Sequence, residues 1–362
     1  MENQIEMQPQ LKKKSFKETL VLSVFFLVFG LMNVKSATAQ DPSFSQFFSS
    51  PLNINPALTA NINSEWRVIT NMRHQWAGVG QPYNTGTVSF DSKILGNKLP
   101  ENSILGVGGM LMYDRVMDGA INSTYGSLNL SYNLQLAEDS YGGVHRFGAG
   151  LGGIYGHRRV DYSKLNFGEQ FTGYGFDTNL PSGESSLSQM KPYFSASAGL
   201  LYTYESEYSS FDAGVSGFHF NKPKNTFLED ENQILPTRYV AHANYELYLS
   251  DQIIINANGI YQKQSTTSYF SAGGGLGYVI NADEAEEEQA IFNAGLWYWS
   301  NNAIIPYVGF VYKKFQVGLS YDITINKLST AEIKPRSWEI SLILRGGEKN
   351  SRIMGVIPCP WK

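Results

Sequence analysis

The feature that most constrains the fold is an alternation of apolar and polar side chains that recurs along the chain. In residues 315–326 every odd-numbered position is apolar or aromatic, and every even-numbered position is Gln, Gly, Ser, Asp, Thr or Asn. Because side chains alternate between the two faces of a β-strand, this stretch forms a strand with one apolar and one polar face. The same pattern recurs in residues 127–136, 239–250 and 337–342.

About fourteen segments of this kind follow Glu65, each of roughly nine to thirteen residues, the length that a tilted membrane strand needs. No apolar run after residue 40 is long enough for a membrane helix. A soluble β-sandwich alternates in the same way, and periodicity alone does not separate the two folds. The aromatic content of 14% and the Gly-rich polar faces favour a membrane barrel.

Residues 1–39 have the pattern of a secretory signal peptide. Lys12 and Lys17 delimit a basic stretch, residues 20–32 are almost wholly apolar, and Ala37 and Ala39 supply the small side chains that a signal peptidase requires. We predict cleavage near Ala39 and export from the cytoplasm. The alternative, a single membrane anchor, needs a longer apolar run.

The segment after the predicted cleavage site reads QDPSFSQFFSSPLNINPALTA, residues 40–60. Pro42, Pro51 and Pro56 exclude a long helix or a central strand, and Asn55 before Pro56 favours a turn. We therefore predict an ordered, mostly extended segment that packs its aromatic side chains on the rest of the protein.

This segment resembles the N-terminal signature of the PorP/SprF family, outer-membrane proteins found with the type IX secretion system of gliding and adhesin-secreting Bacteroidetes. The matching residues are Gln40, Asp41, Pro42, Phe44, Ser45, Gln46, Phe47, Pro51, Leu52, Asn55, Pro56 and Ala57. Cys359 and Pro360 resemble the Cys-Pro ending of the family, although the order of the last two residues is inverted here.

The resemblance implies a protein that helps to export a specific secreted adhesin-like protein, or to attach it to the cell surface. Its implied partners are that surface protein, recognised through a type IX C-terminal targeting region, other components of the machinery, and outer-membrane lipid. The signature residues that it marks as plug or partner contacts are Pro42, Phe44, Ser45, Gln46, Phe47, Pro51, Asn55 and Pro56.

The charged and titratable residues point to neither catalysis nor nucleic-acid binding. A net charge of -4 with 17% charged residues leaves no basic surface for nucleic acid. The five histidines form no HxxxH pair suited to zinc, and no GxSxG elbow occurs. We expect a protein without enzymatic activity, cofactor or metal. Two other classes remain open: a passive porin or small-solute transporter, and an outer-membrane hydrolase.

Two sets of glycines predict that another chain segment approaches the inner wall, because glycine in a strand often marks such an approach. They are Gly148, Gly150 and Gly152 in one strand, and Gly273, Gly275 and Gly277 in another. The N-terminal segment is the first candidate, and a tail of the secreted partner is the second.

Five arginines lie on polar faces or near predicted strand ends, where Arg pairs with a lumen carboxylate or binds an anionic group. They are Arg67, Arg73, Arg115, Arg158 and Arg159. Aromatic residues at 297–299 and Tyr307 are expected in the girdles at the membrane surface.

The complete prediction is an all-β chain that forms a transmembrane antiparallel β-barrel of about 14 strands, with an N-terminal segment packed in or against the lumen. Residues 1–39 are the signal peptide, 40–63 the extended or plug segment, 64–346 the barrel and 347–362 a tail. Residues 161–191 and 221–236 are the predicted long external loops, because barrels have short periplasmic turns and longer external loops.

Overall fold

The computed structural model describes residues 41–100, 103–140, 142–183, 190–224, 234–282, 289–330 and 332–347. The predicted signal peptide lies outside the described residues, and so does all but the first residue of the predicted tail.

Fourteen antiparallel strands form a closed barrel in which each strand pairs with its neighbours in the chain and the first pairs with the last. The strands are β1 Trp66–Ala77, β2 Tyr83–Ile94, β3 Ile104–Val116, β4 Ile121–Glu138, β5 Val144–Val160, β6 Tyr193–Glu205, β7 Ser209–Phe218, β8 Arg238–Ser250, β9 Ile253–Gln264, β10 Thr267–Val279, β11 Ala290–Trp299, β12 Ala303–Tyr312, β13 Phe315–Thr324 and β14 Arg336–Gly346. The predicted fold class is therefore confirmed. Within the described ranges, no helix is long and apolar enough to cross a membrane.

The two faces of the strands are distributed as the alternation predicts. In β4, Leu128 is 76% exposed and Leu136 61% exposed, whereas the alternate residues Ser127, Asn129 and Ser131 are buried. The apolar face thus points outward with no second layer over it, and the polar face points into the lumen. This arrangement excludes the β-sandwich, which would bury the leucines between two sheets.

The barrel has two unlike ends. Trp66 pairs with Gly346, so β1 begins and β14 ends at the same end, here called the terminal end. The two longest connections, residues 161–192 after β5 and 219–237 after β7, both lie at the opposite end, here called the loop end. The rule of long external loops predicts that the loop end faces the cell exterior.

Residues 41–63, here called the lumen segment, lie inside the barrel. The segment consists of a 3₁₀ turn Phe47–Ser49, a one-turn helix α1 Pro51–Ile54 and a 3₁₀ turn Pro56–Leu58. The expectation of a mostly extended segment is wrong in this respect. Pro51 and Pro56 each stand in the first turn, where proline favours a helical start instead of preventing it.

Trp297, Trp299 and Tyr307 do not belong to a membrane girdle. Their side chains are 1%, 8% and 3% exposed and face the lumen, where they pack against the lumen segment. Tyr298, between the two tryptophans, points outward and is 41% exposed. The sequence places these aromatics near a strand end, but strand register decides which face each one occupies.

Candidate functional site

The lumen segment runs the length of the barrel from the loop end toward the terminal end. Asp41 contacts Arg238, the first residue of β8, and Gln264, the last residue of β9, and both lie at the loop end. At the other end of the segment, Asn61 Nδ2 donates a hydrogen bond of 3.2 Å to Asp212 of β7. The start of the described chain therefore lies at the mouth of the barrel that carries the long loops.

The first anchor of the segment is an ion-pair cluster at the loop end. The Asp41 carboxylate lies 3.1 Å from Nε of Arg238 and 2.8 Å from Nε2 of His219. Burial alone would raise the pKa of Asp41, but the positive charge of Arg238 and the contact with His219 outweigh it and hold the pKa below its ordinary value. Arg238 also donates to the backbone oxygen of Asn53 at 2.9 Å, so it joins two parts of the segment.

The second anchor binds the dipeptide Ser45–Gln46 through its backbone and its side chains. The Glu339 carboxylate accepts both backbone N–H groups, from Ser45 at 2.8 Å and from Gln46 at 3.2 Å. Asp322 accepts the Ser45 hydroxyl at 2.7 Å. Both carboxylates are buried, and the Arg73 guanidinium pairs with them at 2.7 Å to Asp322 and 3.2 Å to Glu339.

The Gln46 side chain completes this anchor and is fully buried. Its Nε2 donates to Ser320 Oγ at 3.1 Å and to the backbone oxygen of Glu339 at 3.0 Å, while its Oε1 accepts from Ser341 Oγ at 2.7 Å. A charged side chain could not both donate and accept in this way, and a shorter one would not reach these partners. The wall therefore favours glutamine at this position.

The third group of contacts holds the end of the segment. Asp91 pairs with Arg67 at 2.8 Å and accepts the backbone N–H of Ala60 at 2.8 Å. Closer to the loop end, the side chain of Asn55 donates to the backbone oxygen of Leu200 at 3.0 Å and lies 3.1 Å from Nε2 of His242. Its Oδ1 accepts the N–H of Ala57, which fixes the turn that begins at Pro56.

Apolar contacts hold the segment against two parts of the wall. Phe47 and Ile54 belong to a buried cluster with Trp297, Ile305 and Tyr307 of β11 and β12. On the other side, Phe44 and Leu52 pack on Met110 and Met112 of β3. The lumen wall is thus apolar where the segment presents aromatic and aliphatic side chains, and polar where it presents backbone and amides.

Glycines clear room for the segment at some of the predicted positions. A Cβ on Gly150 would meet the backbone of Pro56 and Ala57, so that prediction is correct. A Cβ on Gly273, Gly275 or Gly277 would instead meet β11 or neighbouring lumen side chains. Those three glycines reflect close strand packing and not the segment. The sequence also missed Gly106 and Gly199, which face Thr59 and Asn55.

A small cavity lies in the lumen beside the segment. A cavity of about 60 Å³ lies among Phe48, Leu58, Arg67, Asn244 and Asn258, enough for a few water molecules. Within the described ranges, no group of three or more His, Cys, Asp or Glu side chains could hold a metal ion.

The signature residues named from the sequence come together in this segment. Phe44, Ser45, Gln46, Phe47, Pro51, Asn55 and Pro56 are all buried in the lumen, and Pro42 is half-buried near the mouth. Whether any of them contacts a partner stays a prediction. The sequence singled out Arg73 but not the carboxylates that also hold the segment, Asp91, Asp322 and Glu339. These three carry no local motif, and only their inward positions on alternating strands could have identified them.

The predicted arginines divide into two groups. Arg67 and Arg73 face the lumen and pair with carboxylates, and Arg158 faces the lumen and donates to Ser123 Oγ at 3.0 Å. Arg115 and Arg159 lie on the outward face near the loop end and are exposed.

Comparison with solved structures finds several barrels at low identity. The chain is similar to the CymD monoaromatic hydrocarbon channel, with 14% identity, coverage of 83% of this chain and 94% of that chain, and a TM-score of 0.45. The P. putida toluene transporter TodX matches with 9% identity, coverage of 81% and 93%, and a TM-score of 0.44. The KdgM porin matches with 10% identity, coverage of 77% and 99%, and a TM-score of 0.35.

No curated protein matches the sequence. A family model does: residues 36–344 match the type IX secretion system membrane protein PorP/SprF, a span that includes the lumen segment and nearly all of the barrel. The membrane barrel, its lipid-type outward face and this match agree, and the chain belongs to the PorP/SprF family of type IX secretion system membrane proteins.

Proposed function

We propose that this protein is an outer-membrane component of, or partner to, the type IX secretion system. In this role it assists export or surface attachment of a specific secreted adhesin-like protein by binding the C-terminal region of that protein. Membership of the family supports the secretion role. The observation that carries the proposal is the burial of the lumen segment inside the barrel, because a barrel occupied by its own chain suits a scaffold better than an open conduit.

The position of the segment inside the barrel also limits the surfaces to which a partner can bind. From the sequence, a tail of the secreted partner was the second candidate for contact with the inner wall. Because the inward groups that could read a peptide already hold Ser45, Gln46 and Asn55, the loop end is the surface that remains. We assign partner binding to the connections after β5 and β7 and to the mouth around Asp41.

The test is deletion of the gene followed by complementation, with surface display of the adhesin as the readout. Wild-type protein should restore display, and a variant that lacks residues 168–180 of the connection after β5 should not. A matched variant with a changed turn at the terminal end, Asp251→Ser, should restore display fully.

Affinity purification from membranes provides the second readout. The wild type should recover a large exported protein, and the loop variant should lose it while it remains folded in the membrane. Normal display of the adhesin in the deletion strain would rule out the proposal.

A further inference from the structure

A row of polar side chains crosses the outside of the barrel at the loop end. Asn84, Arg115, Asn122 and Arg159 are successive register partners on β2, β3, β4 and β5. They lie on the outward face, because they share a face with exposed side chains of the same strands: Val88 on β2, Tyr113 on β3, Leu128 on β4 and Tyr155 on β5.

The row lies directly above the apolar surface of the barrel. On β3 and β5, Leu111 and Tyr155 stand four residues before Arg115 and Arg159, a distance of about 13 Å along a strand. Leu111 is 66% exposed, Tyr155 57% and, between them on β4, Leu128 76%. The arginines therefore lie at the boundary between the apolar band and the loops, where lipid headgroups meet a barrel.

A groove of about 630 Å³ opens at this boundary, lined by Tyr113, Asn122, Thr124, Arg159, Asp161 and Tyr162. The amide of Asn122 is already engaged: its Oδ1 accepts from Tyr113 OH at 2.8 Å, and its Nδ2 donates to Gly119 O at 2.7 Å. In the described part of the chain, the Arg159 guanidinium has no hydrogen-bond partner, and its positive charge acts on the Asp161 carboxylate beside it in the groove. The lumen arginines Arg67 and Arg73, by contrast, are fully paired.

The charges around the groove leave an excess of positive charge. Arg115 pairs with Asp118 at 3.1 Å, and Lys164 Nζ donates to the backbone oxygen of Asp118 at 3.1 Å. Asp161 accepts the Ser163 hydroxyl at 2.6 Å. Three cations thus face two carboxylates, and both carboxylates are already engaged.

We propose that this groove binds the phosphorylated headgroup of a lipid in the leaflet at the loop end. Arg159 contacts the phosphate, and the acyl chains lie along Leu111, Leu128 and Tyr155. A ligand at this boundary must be amphiphilic, because its polar part meets the groove and its apolar part meets the exposed leucines. Arg suits the polar part, since its planar guanidinium donates two parallel hydrogen bonds to a phosphate.

The test is native mass spectrometry of the full-length protein in detergent, titrated separately with diphosphorylated lipid A, with the same lipid freed of phosphate, and with inorganic phosphate. The wild type should retain the phosphorylated lipid and bind the other two at least about tenfold more weakly, since a hydrogen-bonded charge pair contributes on the order of a tenfold factor or more. Arg159→Gln should lose the same factor.

Lys263→Gln is the matched control, because Lys263 is an exposed cation near the loop end of β9 and does not line the groove. This variant should bind the lipid as the wild type does, and circular dichroism should show equal strand content in all three proteins. Equal lipid binding by Arg159→Gln and the wild type would overturn the proposal. Equal binding of the lipid without phosphate, or of inorganic phosphate alone, would overturn it too.

Discussion

Replacement of Arg73 by Gln tests the central anchor of the lumen segment. Arg73 is 1% exposed and stands between Asp322 and Glu339, with Ser45 Oγ also in contact. The substitution keeps a side chain of similar length and some donor capacity, but it removes the only charge that faces both carboxylates among the ion pairs of the described residues. We expect the segment to leave its seat in the lumen.

The size of the effect follows from burial. Asp322 and Glu339 are 5% and 1% exposed, so neither carboxylate is stabilised by bulk water once Arg73 is gone. Removal of one partner from a buried ion pair destabilises a protein by about 3–5 kcal/mol. Arg73→Lys keeps the charge without the planar fork that reaches two carboxylates, and it should lie between Gln and the wild type.

Tryptophan fluorescence and limited proteolysis report the seating of the segment. Trp297 lies 5.1 Å from Phe48 between ring centroids, and the Arg73 guanidinium lies 5.1 Å from the Trp299 ring. In folded Arg73→Gln protein the emission should change, and a protease should cut within residues 41–63 while the barrel stays intact. Urea unfolding in detergent measures the accompanying loss of stability.

A second-site control separates electrostatics from packing. The triple variant Arg73→Gln, Asp322→Asn, Glu339→Gln contains no unpaired carboxylate and should recover part of the lost stability, because a buried pair replaced as a whole is far less harmful than one broken. Equal urea midpoints and equal protease resistance of Arg73→Gln and the wild type would refute the assignment of this anchor.

Three further predictions concern the lumen. Gly150→Val should expel the turn at Pro56, because its side chain would enter the backbone of Ala57. The control Gly126→Ala, on the outward face, should behave as the wild type. The chemical accessibility of a cysteine introduced into the lumen segment distinguishes the two variants. Asp41→Asn should lower the thermal midpoint at pH 7. Since Asp41 has a lowered pKa in the folded protein, its stabilisation is present above the ordinary value of 3.8 and is lost as the pH falls below it, so the two midpoints should converge in acid. In planar bilayers the wild type should conduct poorly and Gly150→Val should conduct more; steady large conductance by the wild type would favour the porin alternative.

The sequence by itself determined the strands and the two faces of the barrel. Alternation with a period of two is a local property, so residues 315–326 reveal an apolar and a polar face without knowledge of their neighbours. The absence of a long apolar run and the length of each segment then led to a barrel of about fourteen strands, the number that the structure has. The segment that enters the lumen was also identified, because its prolines and aromatics fit no strand.

Only the tertiary structure decided what the inner wall does. Arg73 meets Asp322 and Glu339 across 249 and 266 residues of sequence, and this contact exists only because β1 closes the ring against β14. Closure and register likewise turn Trp297 inward onto Phe48, and they bring Asn84, Arg115, Asn122 and Arg159 into one row outside. Alternation with a period of two assigns each side chain to one face of its strand. Its neighbours on that face come from strands that are distant in the sequence, so no local pattern can identify them.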